Sequence, residues 1–130
     1  QQSDDIVYHG YVEDLTTVLS GIDCVVLPSY REGLSRILLE AGAAGMPSIT
    51  TDVPGCRDVI KHGTNGLICK PQDAKSLASS MASFLSLPSS ARREMGDAAL
   101  ANIKDHFDER LVIEAYLKVV GEIRSASTAQ

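Results

Sequence analysis

The sequence predicts an α/β domain, a mostly parallel sheet followed by a C-terminal helical tail, and three observations predict it. Short apolar runs recur along the 130 residues, and helix-length segments separate them. Two of the runs, at 24–27 and 66–69, do not alternate polar with apolar, the pattern of strands covered on both faces. The apolar share of 44% with 22% charged residues is that of an ordinary globular chain, and the length suits one domain with a sizeable core.

Taken in order, the elements are as follows. Ile6-Val7-Tyr8 reads as a first strand, and Glu13 to Ser20 as a short helix with Leu15, Val18 and Leu19 on one face and Gly21 ending it. Cys24 to Leu27 is a second strand. From Leu34 to Ala44, apolar residues 34, 37, 38 and 41 follow the i, i+3, i+4, i+7 helical spacing, and Gly45-Met46-Pro47 stops the helix. Ser48 to Thr51 and Gly66 to Cys69 complete the strands. Asp73 caps a helix running to Leu87, with Leu77, Met81, Phe84 and Leu85 turned inward. Ser89 to His106 and Asp108 to Arg124 form the tail, and 125–130 are expected to fray. The core is thus expected at about 6–87 and the tail at about 88–125. Doubly wound nucleotide-binding sheets carry roughly six strands, and this sequence shows four without an initiating Met, so it reads as a piece that enters a Rossmann-like sheet partway.

Charge and composition exclude several function classes. A net charge of −5 argues against nucleic acid as the main partner, which wants a basic face. Cys24, Cys56 and Cys69 are an odd, widely spaced set without metal-ligand spacing, which suits small buried side chains in a reducing compartment. No apolar run approaches the roughly 20 residues needed to span a bilayer. A cytoplasmic location is expected, with any contact at the cytoplasmic membrane face peripheral and made through the parent protein. No Asp-x-Asp pair suited to Mg²⁺ occurs, so neither a metal nor a cofactor is expected.

The most informative stretch runs from Leu27 to Ala41. A buried strand ends, a loop containing Pro28 and Gly33 follows, and a helix begins near Leu34. Ligands of parallel α/β sheets bind beyond the carboxyl ends of the strands, which places this loop on the functional edge. Amides of Gly33, Leu34 and Ser35 at the helix start carry its positive dipole end and make a seat for a diphosphate. Gly33 presents no side chain to hold a ligand off the backbone. Arg36 flanks the seat and is a candidate to neutralise phosphate charge. Glu32 and Glu40 flank it too, Glu40 lying about 7.5 Å along the helix axis from Ser35. That offset suits a ribose, whose vicinal hydroxyls a carboxylate accepts well. By spacing alone, both glutamates read equally well as solvated surface charges.

Several segments together resemble one family. Glu32 and Glu40 are similar to the glutamate, seven residues, glutamate motif of the family 4 retaining glycosyltransferases, which have GT-B architecture. Tyr8-His9-Gly10-Tyr11-Val12 resembles the strand end whose backbone lines the base there. Asp23 to Ser29 resembles the strand and Pro-Ser leading into the motif, and Gly63-Thr64-Asn65-Gly66 the turn before the last strand. The resemblance covers Ile6 to about Lys118 and points to the C-terminal, donor-binding half, closest in wording to bacterial capsule, O-antigen and surface-glycan enzymes. Pro54-Gly55-Cys56-Arg57-Asp58 departs from the usual Gly-Gly-x-x-Glu, and Asp58 is expected to cap rather than bind.

The resemblance implies transfer of a sugar from a nucleoside diphosphate, UDP carrying hexose or N-acetylhexosamine being expected, to a glycan or lipid-linked acceptor with retention. It implies Glu40 on the ribose, Glu32 on a hydroxyl of the transferred sugar as the catalytic residue, and Gly33 to Ser35 on the diphosphate. Gly10, Tyr11 and Val12 would line the base. The acceptor site and an upstream basic pair would precede residue 1, so this segment alone is expected not to transfer sugar. Two other readings stand beside this one: a sugar-nucleotide 2-epimerase of the same fold, and a non-catalytic nucleotide-sensing module.

Overall fold

The computed structural model of the chain describes residues 4–108 and 120–128. Among the described residues, three strands form one wholly parallel sheet in the order β1 (Val25–Leu27), β2 (Ser48–Thr51), β3 (Gly66–Cys69). Val26 pairs with Ile49, and Ile49 with Leu67. β2 lies in the middle with all four residues buried, as a short apolar run between two crossovers should.

The helices within residues 4–108 are α1 (Thr16–Leu19), α2 (Arg36–Ala43), α3 (Ala74–Ser86) and α4 (Ser89–His106). α2 carries the chain from β1 back to the start of β2. Its Leu38 joins Val53, Cys56, Val59 and Ile60 in a cluster that Ile103 and Phe107 of the α4 end close over. A second cluster, Ile49, Leu67, Phe84 and Met95, joins the sheet to α3 and α4. Leu19, Val25 and Ala41 bind α1 to β1 and α2. Asp73 caps α3 as expected, its Oδ1 accepting the Ser76 amide at 2.9 Å. Among the described residues no helix is long and apolar enough to cross a membrane.

The structure corrects four expectations. Ile6-Val7-Tyr8 is not a strand: it pairs with no other strand among the described residues, and its side chains are 72–91% exposed. β propensity alone does not make a strand, which needs a neighbour to hydrogen-bond and a surface to cover. β1 is an edge strand whose Val26 is 37% exposed, so its apolar run does not mark two covered faces. Met81 and Leu85 face outward, leaving Phe84 as the buried residue of α3. Residues 120–128 are helical, where fraying was expected from 125 onward, and Ser125 Oγ donates back to the Gly121 carbonyl. The rest of the expected Asp108–Arg124 helix, at 109–119, lies outside the described residues.

Candidate functional site

The loop after β1 is tied down at several points. Thr50 Oγ1 donates to the Leu27 carbonyl at 2.9 Å, and Thr51 Oγ1 to the Ser29 carbonyl. Ser29 Oγ donates to Glu32 Oε1 at 2.7 Å. Gly55, in the left-handed region at φ +85°, lies so close that a Cβ there would overlap the Gly33 carbonyl oxygen. Asp58 accepts the Gly55 amide at 3.1 Å within a run of turns, where no helix forms for it to cap. The end of β2 therefore holds the loop through two threonine hydroxyls, and Gly55 packs against its backbone.

The helix begins slightly later than the apolar spacing indicates. Ser35, not Leu34, is the boundary, buried and extended, with its Oγ accepting the Leu38 amide. Leu34 is 55% exposed and outside the helical stripe. The amides of Gly33 and Leu34 donate to no carbonyl or side chain among the described residues. A Cβ at Gly33 would meet nothing within 4 Å, so that position opens outward.

Six of the candidate residues line two concavities, one along α2 and one at the loop before it, while Leu34 and Ser35 line neither. The larger, about 760 Å³, brings Tyr11 and Val12 together with Arg36 and Glu40 across the α1–α2 gap. Glu13, Asp14, Thr16 and Ile37 also line it, residues that sequence reasoning took only as helix. The polar pair Glu13-Asp14, directly after the aromatic-rich Tyr8–Val12 segment, was the signal available for them. Gly10 adjoins this cleft without lining it, exposed at φ +66°. The second concavity, about 560 Å³, holds Glu32 and Gly33 with Tyr30, Arg31, Val53 and Pro54.

Glu40 is not a solitary helix charge. Arg36 Nε lies 2.8 Å from its Oε1, one helical turn away, with the guanidinium side chain 91% exposed. The pair orients the carboxylate while leaving Oε2 without a partner among the described residues. An exposed pair of this type contributes little to stability, so its consequence is geometric. Arg36, read from the sequence as a phosphate neighbour, is here engaged by Glu40. Asp14 Oδ1 accepts both the hydroxyl and the amide of Thr16, and these bonds, the hydroxyl's first, hold its carboxyl below the usual 3.8. Burial pushes the thiol of Cys24, packed against the Ile49 cluster just before β1, up to about 11, so it is no nucleophile for this site. Among the described residues, no group of three or more His, Cys, Asp or Glu side chains could hold a metal ion.

An open parallel sheet with ligand-sized clefts and an uncapped loop at the carboxyl ends of its strands defines a Rossmann-like domain, here of the kind that forms the C-terminal half of GT-B glycosyltransferases. The model of the family glycosyl transferases group 1 matches residues 1–101, and the chain belongs to that family. Glycogen synthase of Mycobacterium tuberculosis H37Rv is 34% identical over 106 residues, covering 82% of this chain and 25% of that protein. N,N'-diacetylbacillosaminyl-diphospho-undecaprenol alpha-1,3-N-acetylgalactosaminyltransferase of Campylobacter jejuni is 31% identical over 116 residues, covering 89% and 30%. Sucrose-phosphate synthase of Thermosynechococcus elongatus superposes with a TM-score of 0.81 at 26% identity, covering 86% of this chain and 28% of that one. The chain thus spans a quarter to less than a third of the length of these three proteins.

Proposed function

We propose that the chain binds the donor of a glycosyl transfer, a nucleoside diphosphate sugar, and presents its sugar for transfer with retention to a glycan or lipid-linked acceptor. The observation that carries the reading is the convergence of Tyr11, Val12 and Glu40 on one cleft, with Glu32 on the other side of an outward-open loop. A base and ribose fit the first cleft, where Glu40 Oε2 is the acceptor for a ribose hydroxyl. That cleft is acidic, with Glu13 and Asp14 beside Glu40, and so suits hydroxyls rather than phosphates. The diphosphate then belongs at the amides of Gly33 to Ser35, and the sugar projects toward Glu32.

In this arrangement the chemistry is electrostatic. As the sugar–phosphate bond breaks, negative charge grows on the diphosphate, and amides already oriented at a helix start stabilise it without rearranging. No metal is invoked. UDP is the expected nucleotide, retention follows the family resemblance of the Glu32–Glu40 spacing, and a cytoplasmic location goes with this reading. The names of the two relatives, a polysaccharide synthase and a lipid-diphosphate glycosyltransferase, support a glycan or lipid-linked acceptor.

Calorimetric titration with UDP tests the nucleotide half of this reading. A hydrogen bond to a charged group contributes about 1.5–3 kcal/mol, and about 1.4 kcal/mol is tenfold. Glu40→Ala should weaken UDP binding roughly ten- to a hundredfold, and Glu32→Ala should leave it nearly unchanged. Wild-type UDP affinity in Glu40→Ala would make the helix carboxylate a solvated charge and end the proposal.

A further inference from the structure

We propose that Ser29 is a positioning residue that fixes which oxygen of Glu32 meets the transferred sugar, and that Thr51 holds Ser29 in place to do so. The inference rests on the reading that Glu32 faces that sugar. Ser29 Oγ donates to Glu32 Oε1 at 2.7 Å, leaving Oε2 without a partner among the described residues. Glu32 lines the concavity that Tyr30, Val53 and Pro54 enclose, so one oxygen is occupied by the protein and the other is offered to a ligand. A carboxylate on a solvent-facing loop otherwise rotates about its terminal bond and presents either oxygen.

Ser29 can hold Glu32 only if its own backbone is held, and it is. Its carbonyl accepts the hydroxyl of Thr51, which is 2% exposed at the end of the central strand. The preceding Leu27 carbonyl accepts the hydroxyl of Thr50 in the same way. The chain of bonds runs from the buried sheet through Thr51 and Ser29 to Glu32, and Gly55 against the Gly33 carbonyl blocks the loop from lifting. A rigid scaffold behind a ligand-facing group is what precise orientation needs. A bond between residues three apart can also serve only to shape the loop, so the test must separate the two roles.

NMR-detected titrations of UDP and of UDP-glucose into the wild-type chain and four variants do this. Ser29→Ala should weaken UDP-glucose binding roughly three- to tenfold and leave UDP binding unchanged. Ser29→Thr, which keeps the hydroxyl, should restore the sugar preference. In a Glu32→Ala background, Ser29→Ala should have no further effect, because the two residues act as one unit. Equal weakening of both ligands by Ser29→Ala, or an effect that persists without Glu32, would show a loop-shaping role and overturn the proposal. So would wild-type behaviour of Ser29→Ala while Glu32→Ala loses the sugar preference. If Glu32→Ala itself keeps that preference, the placement of the sugar falls, and the inference falls with it.

Discussion

The loop after β1 and the segment before α1 contribute to the same candidate site by opposite means. Residues 28–35 are held by threonine hydroxyls from the central strand, by Ser29, and by a glycine pressed against the backbone. Residues 6–11 carry Ile6, Val7, Tyr8 and Tyr11 at 72–93% exposure, and Gly10 there has open space around it. The first region is fixed by contacts this chain makes with itself. The second meets the rest of the domain chiefly through Val12 to Leu19, beside the cleft that Glu40 completes. The difference teaches where precision in this site originates. The side proposed for the diphosphate and sugar is built into the sheet, and the side proposed for the base depends on a segment with few tertiary ties.

Two of the four glycines with positive φ among the described residues, Gly55 and Gly10, break or sharpen that comparison first. Gly55→Ala places a Cβ onto the Gly33 carbonyl in a conformation that already disfavours it, and should cost about 3 kcal/mol from strain and overpacking together. Urea unfolding should show this as a lowered midpoint with an unchanged slope. Gly10→Ala meets no atom within 4 Å and should cost only about 1 kcal/mol, the backbone penalty alone. Equal costs at the two positions would erase the distinction between a braced and an unbraced region.

A smaller effect belongs to Asp14, which follows the second region at the start of α1. The Thr16 bonds lower its carboxyl pKa, the hydroxyl more than the amide. A depressed folded pKa means that the contribution to stability is present above the unfolded value, about 3.9, and is lost as pH falls through the lower folded value. NMR titration should give Asp14 a midpoint below 3.8, and Thr16→Val should move it back toward 3.8. A wild-type midpoint at or above 3.8 would mean that the start of α1 is not organised by this carboxylate.

Most of the architecture was legible because it follows from local pattern. The runs read at 24–27, 48–51 and 66–69 became the strands, the first one residue shorter, and Asp73 capped its helix. Ile6-Val7-Tyr8 misled because its residues favour strand while pairing depends on a neighbour that no local pattern reveals. Leu34 misled by fitting the helical spacing one residue before Ser35 ends the loop. The strand-to-helix junction at Gly33 to Ser35 was visible. The brace beneath it was not, since Thr51 meets Ser29 across 22 residues and Gly55 meets Gly33 across a crossover. Thr51 alone reads as an ordinary strand end. The partnership of Arg36 with Glu40 was open to an i, i+4 reading that the phosphate role obscured.

The central claim is that the cleft of Tyr11, Val12 and Glu40 takes the nucleoside, while the diphosphate crosses the start of α2. A crystal structure of the chain soaked with UDP tests it most directly. The account predicts the uracil beside the Tyr11–Val12 backbone, a ribose hydroxyl within about 3 Å of Glu40 Oε2, and phosphate oxygens on the amides of Gly33 to Ser35. A nucleoside bound instead in the concavity of Tyr30, Glu32 and Pro54, with the Glu40 cleft empty, would contradict it.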